Sequence, residues 1–133
     1  MDQGQKRKIL LVEDDKFLAE LCMTKMEKEN FTVVLAMDGE EGLQKIDAEK
    51  PDLILLDIML PGIDGFEVLD RVRKHSDPKI AKTPIVLLSN LGQDSSVERG
   101  LALGADDYLI KANFTTDEIV KKIVEVLEKR AKA

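Results

Sequence analysis

Five apolar runs of strand length, set between stretches of helical period, constrain this chain more than any other feature: "KILLVE" (8–13), "TVVLA" (32–36), "DLILLD" (52–57), "PIVLLS" (84–89) and "DYLIK" (107–111). Continuous apolarity, rather than alternation, is what a strand needs when both of its faces are buried, as in a parallel sheet covered by helices. Between and after the runs lie "DKFLAELCMTKMEKEN", "DGEEGLQKIDAEK", "GFEVLDRVRKHS", "DSSVERGLALG" and "TTDEIVKKIVEVLEKRAKA". In the last of these, Ile119, Ile123, Val126 and Leu127 share one stripe, widened by Val120 and Val124, while Lys121, Lys122, Glu125 and Glu128 face water. Asp15, Asp38 and Thr116 stand where N-caps belong, and Gly104 stands just past a helix face. A strand and a helix thus alternate five times. Right-handed crossovers turn that order into a doubly wound α/β domain, whose ligands bind beyond the C-terminal ends of the strands.

A chain of 133 residues buries one core, and 44% hydrophobic with 35% charged residues is the composition of an ordinary soluble globular domain. Aromatics are 4%, so the core is aliphatic. No linker or second domain is visible after the fifth helix, so the chain either works alone or is part of something larger. Twenty basic against 26 acidic residues give a net charge of −6, which argues against direct contact with nucleic acid, since that needs a basic face. The single cysteine, Cys22, excludes an internal disulfide and reads as a small core hydrophobe among Leu18, Leu21 and Met26. No apolar run approaches the roughly 18 residues that span a bilayer, and "MDQGQKRK" is polar, so a cytoplasmic protein without membrane contact is expected.

At the strand ends stand Glu13, Asp14 and Asp15 after the first strand, Asp57 after the third, Ser89 at the fourth and Lys111 at the fifth. Parallel strands carry all of them to one edge of the sheet. Each close carboxylate pair there costs on the order of 2 to 4 kcal/mol at an effective dielectric near 20. Lys111 offsets part of that, and a hard divalent cation with oxygen ligands, Mg²⁺ above all, offsets more. Any one of these residues alone is an ordinary cap, surface charge or loop hydroxyl; their convergence points to phosphoryl transfer onto a carboxylate. Asp57 is then the nucleophile, with Lys111 and Ser89 neutralising charge on the phosphoryl oxygens. Pro61, Gly62 and Gly65 in "MLPGIDG" hold the following loop clear of the incoming group.

"ILLVEDD", "LILLDIMLPGIDGFE", "PIVLLS" and "GADDYLIK" together resemble the receiver domain of two-component response regulators, over roughly residues 7–131. The resemblance implies a flavodoxin-like five-stranded parallel sheet in order 2-1-3-4-5 with helices on both faces, a receiver domain over 8–131, and an extended or disordered tail over 1–7. It implies that Asp57 is the phosphoacceptor and that Asp14, Asp57 and the Met59 backbone carbonyl ligate Mg²⁺, or alternatively Mn²⁺, with Glu13 acting through water. Ser89 takes the place of the switch hydroxyl, Lys111 that of the phosphate-pairing lysine, and Tyr108 that of the aromatic whose rotamer follows activation. The implied partners are a sensor histidine kinase or histidine phosphotransfer protein upstream. Downstream, an output domain, a target protein or a second copy meets the face formed by the fourth helix, fifth strand and fifth helix.

Two positions depart from the family pattern. Ala112 follows Lys111 where a cis proline is usual, and a non-proline cis peptide costs about 2.5 to 4 kcal/mol. Asn90 replaces the small residue usual beside the switch hydroxyl, and altered dephosphorylation is expected. The one histidine, His75, is expected to meet the C-terminal carbonyls of the third helix. Three other readings compete. An aspartate-nucleophile phosphatase of haloacid dehalogenase type wants a carboxylate where Met59 stands. A flavin or nucleotide site wants a Gly- or Ser-rich loop where "VEDDKF" is acidic. The third is a receiver-shaped scaffold that works without phosphate.

Overall fold

The computed structural model describes residues 6–89, 94–111 and 115–132, with the side chains of 94, 95 and 132 left aside. Asn90 and Ala112 lie outside the described residues, so neither the residue beside Ser89 nor the Lys111–Ala112 peptide has an observed geometry.

The apolar runs form β1 (Lys8–Val12), β2 (Thr32–Ala36), β3 (Leu53–Asp57), β4 (Ile85–Ser89) and β5 (Asp107–Ile110). They make one sheet in the order β2-β1-β3-β4-β5 with every pairing parallel. Every residue of β3 and β4 is buried, whereas the edge strands β2 and β5 are partly open, as their shorter apolar runs foretell. Successive side chains point to opposite faces of a strand, and this splits the core in two. Leu10, Val12, Ile54, Leu56, Ile85 and Leu87 face one way; Ile9, Leu11, Leu53, Leu55, Val86 and Leu88 face the other.

The first face is covered by α2 (Gly39–Glu49), α3 (Gly65–Arg73), α4 (Pro78–Ala81) and α5 (Asp94–Ala102), through Ile46, Val68, Leu69, Val72 and Ile80, with Gly100 against Leu87. The second is covered by α1 (Lys16–Lys28) and α6 (Thr116–Lys132), through Ala19, Cys22, Met26, Ile119, Ile123 and Val126. Cys22 is a core residue, and burial pushes its thiol up to about 11. Val124, expected to widen the α6 stripe, is instead 40% exposed.

The sequence implies five helices, and the described residues form six. Asp77 accepts a hydrogen bond from Lys79 N (2.9 Å) and Pro78 occupies the first turn, so "DPKIA" closes a four-residue helix, α4, in what reads as a loop. The fourth and fifth helices of the sequence reading are therefore α5 and α6. Asp15 and Asp38 cap α1 and α2, accepting from Leu18 N (3.1 Å) and Glu41 N (2.8 Å). For α6 the cap is one residue earlier than expected: Thr115 N donates to Glu118 Oε1 (3.0 Å) and Glu118 N to Thr115 Oγ1 (3.3 Å), a reciprocal capping box that leaves Thr116 inside the helix. Gly104, at φ +110°, ends α5 with Gly104 N donating to Leu101 O and Ala105 N to Gly100 O, both at 3.0 Å, the Schellman pattern that favours glycine.

His75 also differs from expectation. Its Nε2 lies 2.6 Å from Asp47 Oδ1 on α2, and its Nδ1 accepts from Asp77 N (2.9 Å). The backbone donor makes Nδ1 an acceptor, so the neutral ring carries its proton on Nε2 and ties α2 to the end of α3.

Candidate functional site

The C-terminal ends of β1, β3, β4 and β5 bring Glu13, Asp57, Ser89 and Lys111 to one edge of the sheet. Their positions follow from the ladder. Glu13 extends β1 by one bond, its N donating to Ala36 O (3.0 Å), while Asp57 pairs in register with Leu88, one residue short of Ser89. Ser89 pairs with Ile110, immediately before Lys111.

Asp57 is 2% exposed and held at both oxygens: Oδ1 accepts from Met59 N (3.1 Å) and Oδ2 from Lys111 Nζ (2.8 Å). Glu13, 1% exposed, accepts from Asp15 N through Oε2 (3.0 Å). Its Oε1 lies 2.7 Å from Lys111 Nζ as an ion contact without an aligned hydrogen bond, and is otherwise an orphaned buried acceptor. Asp14 is exposed, yet carboxylate oxygens of Glu13, Asp14 and Asp57 lie within 4.8 Å of one another. Two of these acids, Glu13 and Asp57, share one ammonium, and Asp14 adds a third negative charge beside them.

The electrostatics follow. Burial raises the Glu13 carboxyl above its ordinary value and the Asp57 charge adds to this, while Lys111 and the Asp15 amide hold it back. Burial pulls Lys111 down, but its contacts with Asp57 and Glu13 outweigh that and leave it above the ordinary lysine value, firmly an ammonium. An all-oxygen donor set with surplus negative charge and an orphaned oxygen suits a hard divalent cation, so the residues present fit Mg²⁺.

The other expected residues lie on β4, on β5 and just past β3. Ser89 is buried at 5% exposure. The Met59 side chain is exposed while its N–H is committed to Asp57. Tyr108 lies on the open side of β5, half exposed, with Leu109 turned inward. Gly65 has a use that spacing did not reveal. Gly65 N donates to Ile58 O (2.8 Å), and a Cβ at Gly65 would lie 2.4 Å from the Asp57 carbonyl oxygen, so glycine lets the start of α3 press directly on the strand end. Gly62, at φ +75°, makes the turn itself.

Comparison with known proteins gives the same picture. The family model described as response regulator receiver domain matches residues 9–124. The probable transcriptional regulator ycf27 of Guillardia theta is 38% identical over 133 residues, all of this chain and 50% of that protein. The phosphate regulon transcriptional regulatory protein PhoB of Rhizobium meliloti is 39% identical over 125 residues, 94% of this chain and 53% of that protein. The chain thus spans about half the length of the curated relatives it matches. Among solved structures, a putative response regulator from Chloroflexus aurantiacus superposes with a TM-score of 0.86 at 35% identity, covering 93% of this chain and 99% of that one.

Proposed function

Because the chain belongs to the response regulator receiver domains of two-component signalling, which are signalling switches rather than conventional enzymes, we propose that it is switched by accepting a phosphoryl group on Asp57. The observation that carries this is a carboxylate buried at a strand end, fixed by Lys111 at 2.8 Å and by Met59 N at 3.1 Å, beside two further acids. In the transfer, an Asp57 oxygen attacks the phosphorus of a phosphohistidine, the new O–P bond forms as the N–P bond breaks, and the imidazole leaves with the electron pair and takes a proton. Lys111 shifts from the carboxylate to the phosphoryl oxygens, and the Ser89 hydroxyl donates to them. Receiver domains bind Mg²⁺ at an acidic pocket. Here Asp14, Asp57 and the Met59 carbonyl would hold Mg²⁺, or Mn²⁺, with Glu13 through water, and the cation would supply countercharge to the phosphoryl group.

Phosphorylation brings the charge at Asp57 to about −2, and the pocket must rearrange around it. Ser89 moving inward leaves room into which Tyr108 turns, changing the face made by α5, β5 and α6. That face already exposes Leu101 (42%), Tyr108 (37%) and Val124 (40%), apolar area suited to an output domain, a target protein or a second copy. Upstream, the donor is a sensor histidine kinase or a histidine phosphotransfer protein. We take the receiver domain to span 8–131; residues 1–5 of the expected tail over 1–7 lie outside the described residues. None of the described helices is long and apolar enough to cross a membrane; a cytoplasmic location is our reading from membership of the receiver family. A phosphatase reading finds no support in Met59, an apolar side chain where that chemistry wants a second carboxylate.

The test is treatment with acetyl phosphate or beryllofluoride and Mg²⁺, read by mass spectrometry and amide NMR. The wild type gains a Mg²⁺-dependent adduct and Asp57→Asn does not. No adduct on the wild type, an equal adduct on the variant, or rapid turnover of an aryl phosphate would sink the proposal.

A further inference from the structure

Away from the acidic cluster, α3 and α5 meet in a contact that this chemistry leaves unused. The Arg99 guanidinium carbon of α5 lies 4.2 Å from the centroid of the Phe66 ring on α3. Phe66 follows Gly65, whose backbone is pressed against Asp57 and Ile58, so the ring is anchored next to the phosphoacceptor strand. On the other side, Gly100 sits so close to β4 that a Cβ would lie 2.1 Å from Leu87 Cδ1. Open clefts flank the stack. A cavity of about 530 Å³ reaches Ile63, Glu67 and Leu103, and a second of about 440 Å³ reaches Met59, Leu60 and Ser96; Phe66 and Arg99 line both. Arg71, the other guanidinium at the larger cavity, is paired with Glu67 at 2.7 Å, whereas Arg99 is spent on the ring.

We propose that the Arg99–Phe66 stack is a latch: a positioning contact that holds α5 on α3 in the unphosphorylated form and sets how readily the switch responds. This rests on Asp57 being the phosphoacceptor. α5 rests through Gly100 on Leu87 of β4, the strand that ends in Ser89, so movement of that strand end reaches it, and open volume on both sides lets it shift once the guanidinium leaves the ring. Phe66 is buried but the guanidinium is open to water, so the bias of the contact is modest, about two- to fivefold in the equilibrium between the two forms. A two-state element is tuned on that scale.

The test is a beryllofluoride titration with Mg²⁺, followed by amide NMR of β5 and α6, on wild type, Arg99→Ala, Arg99→Lys, Phe66→Leu and the Ala/Leu double variant. Arg99 is exposed, so its variants fold. Arg99→Ala and Phe66→Leu each tighten the apparent affinity by about two- to fivefold, Arg99→Lys stays near wild type, and the double variant gains no more than either single one. Without beryllofluoride, Arg99→Ala speeds hydrogen exchange in α5 relative to α1. Unchanged or weakened affinity in Arg99→Ala, additive gains in the double variant, or unchanged exchange in α5 overturns the latch. A wild type that takes up no beryllofluoride defeats the phosphoacceptor reading instead, and the exchange result then decides the latch by itself.

Discussion

The two ends of the sheet each carry a cluster of charges, built on opposite terms. At the end where β4 and β5 begin, Asp106 Oδ1 accepts from Ile85 N (3.0 Å), Arg73 Nη2 (3.1 Å) and Arg130 Nη2 (3.1 Å), and Oδ2 accepts from Arg130 Nε (2.6 Å). Arg73 directs its remaining donors to Gly104 O, Ala81 O and Thr83 O at 2.7 to 3.0 Å. One acid meets two bases and accepts four hydrogen bonds. At the other end, Glu13 and Asp57 share Lys111 beside a third acid, Asp14, and Glu13 Oε1 is left without an aligned donor. A cluster that ties α3, β4, β5 and α6 together has its valences closed, while one that must receive a group keeps them open.

The comparison breaks most visibly at Asp57. Asp57→Asn is expected to lose the phosphoryl adduct altogether by mass spectrometry while remaining folded by circular dichroism. Lys111→Met should slow acetyl phosphate-dependent labelling by about a hundredfold, the scale for removing one donor to developing phosphoryl charge. At the opposite end, Asp106→Ala should leave labelling intact yet lower urea-measured stability by about 2 to 3 kcal/mol. That is less than for a fully buried pair, because Arg130 is partly open to solvent. Impaired labelling with unchanged stability would reverse the assignment of the two clusters.

Smaller effects sharpen the contrast. Mg²⁺ at ten times its Kd should stabilise the wild type by about 1.4 kcal/mol, and Asp14→Asn should need several-fold more Mg²⁺ for the same rise in Tm. Without Mg²⁺, folding raises the Glu13 pKa, chiefly by burial, so the folded state binds more protons between the ordinary glutamate value and the raised one. The Glu13 contribution to stability is full below the ordinary value and is lost as pH rises through the raised one. Urea unfolding across that window should show this decline in the wild type and not in Glu13→Gln.

Much of this was legible because it depends on local chemistry. Continuous apolar runs imply strands buried on both faces, and parallel strands deliver their end residues to one edge, so Glu13, Asp57, Ser89 and Lys111 meet wherever that sheet forms. Asp15 and Asp38 act as caps because a carboxylate before a helix finds amides within reach. "DPKIA" also carries a local signal for α4, an aspartate cap followed by proline, but four residues are too few to show a period. The α6 cap turned on a choice between adjacent threonines that Glu118 decides for Thr115, three residues before it.

What the chain order left open is what distant residues settle between them. His75 could have turned to its own helix end; the approach of α2 supplies Asp47 instead. Nothing near Asp106 in the sequence marks Arg73 or Arg130 as its partners, 33 and 24 residues away. The stacking of Arg99 on Phe66 likewise arises only where α5 docks beside α3. Sequence by itself determined which residues are buried strand, which cap helices and which acids stand at strand ends, since these follow from apolar period and short-range hydrogen bonding. Tertiary structure decided which of those acids are satisfied and which are left wanting a cation, because that balance depends on donors brought in from elsewhere in the fold.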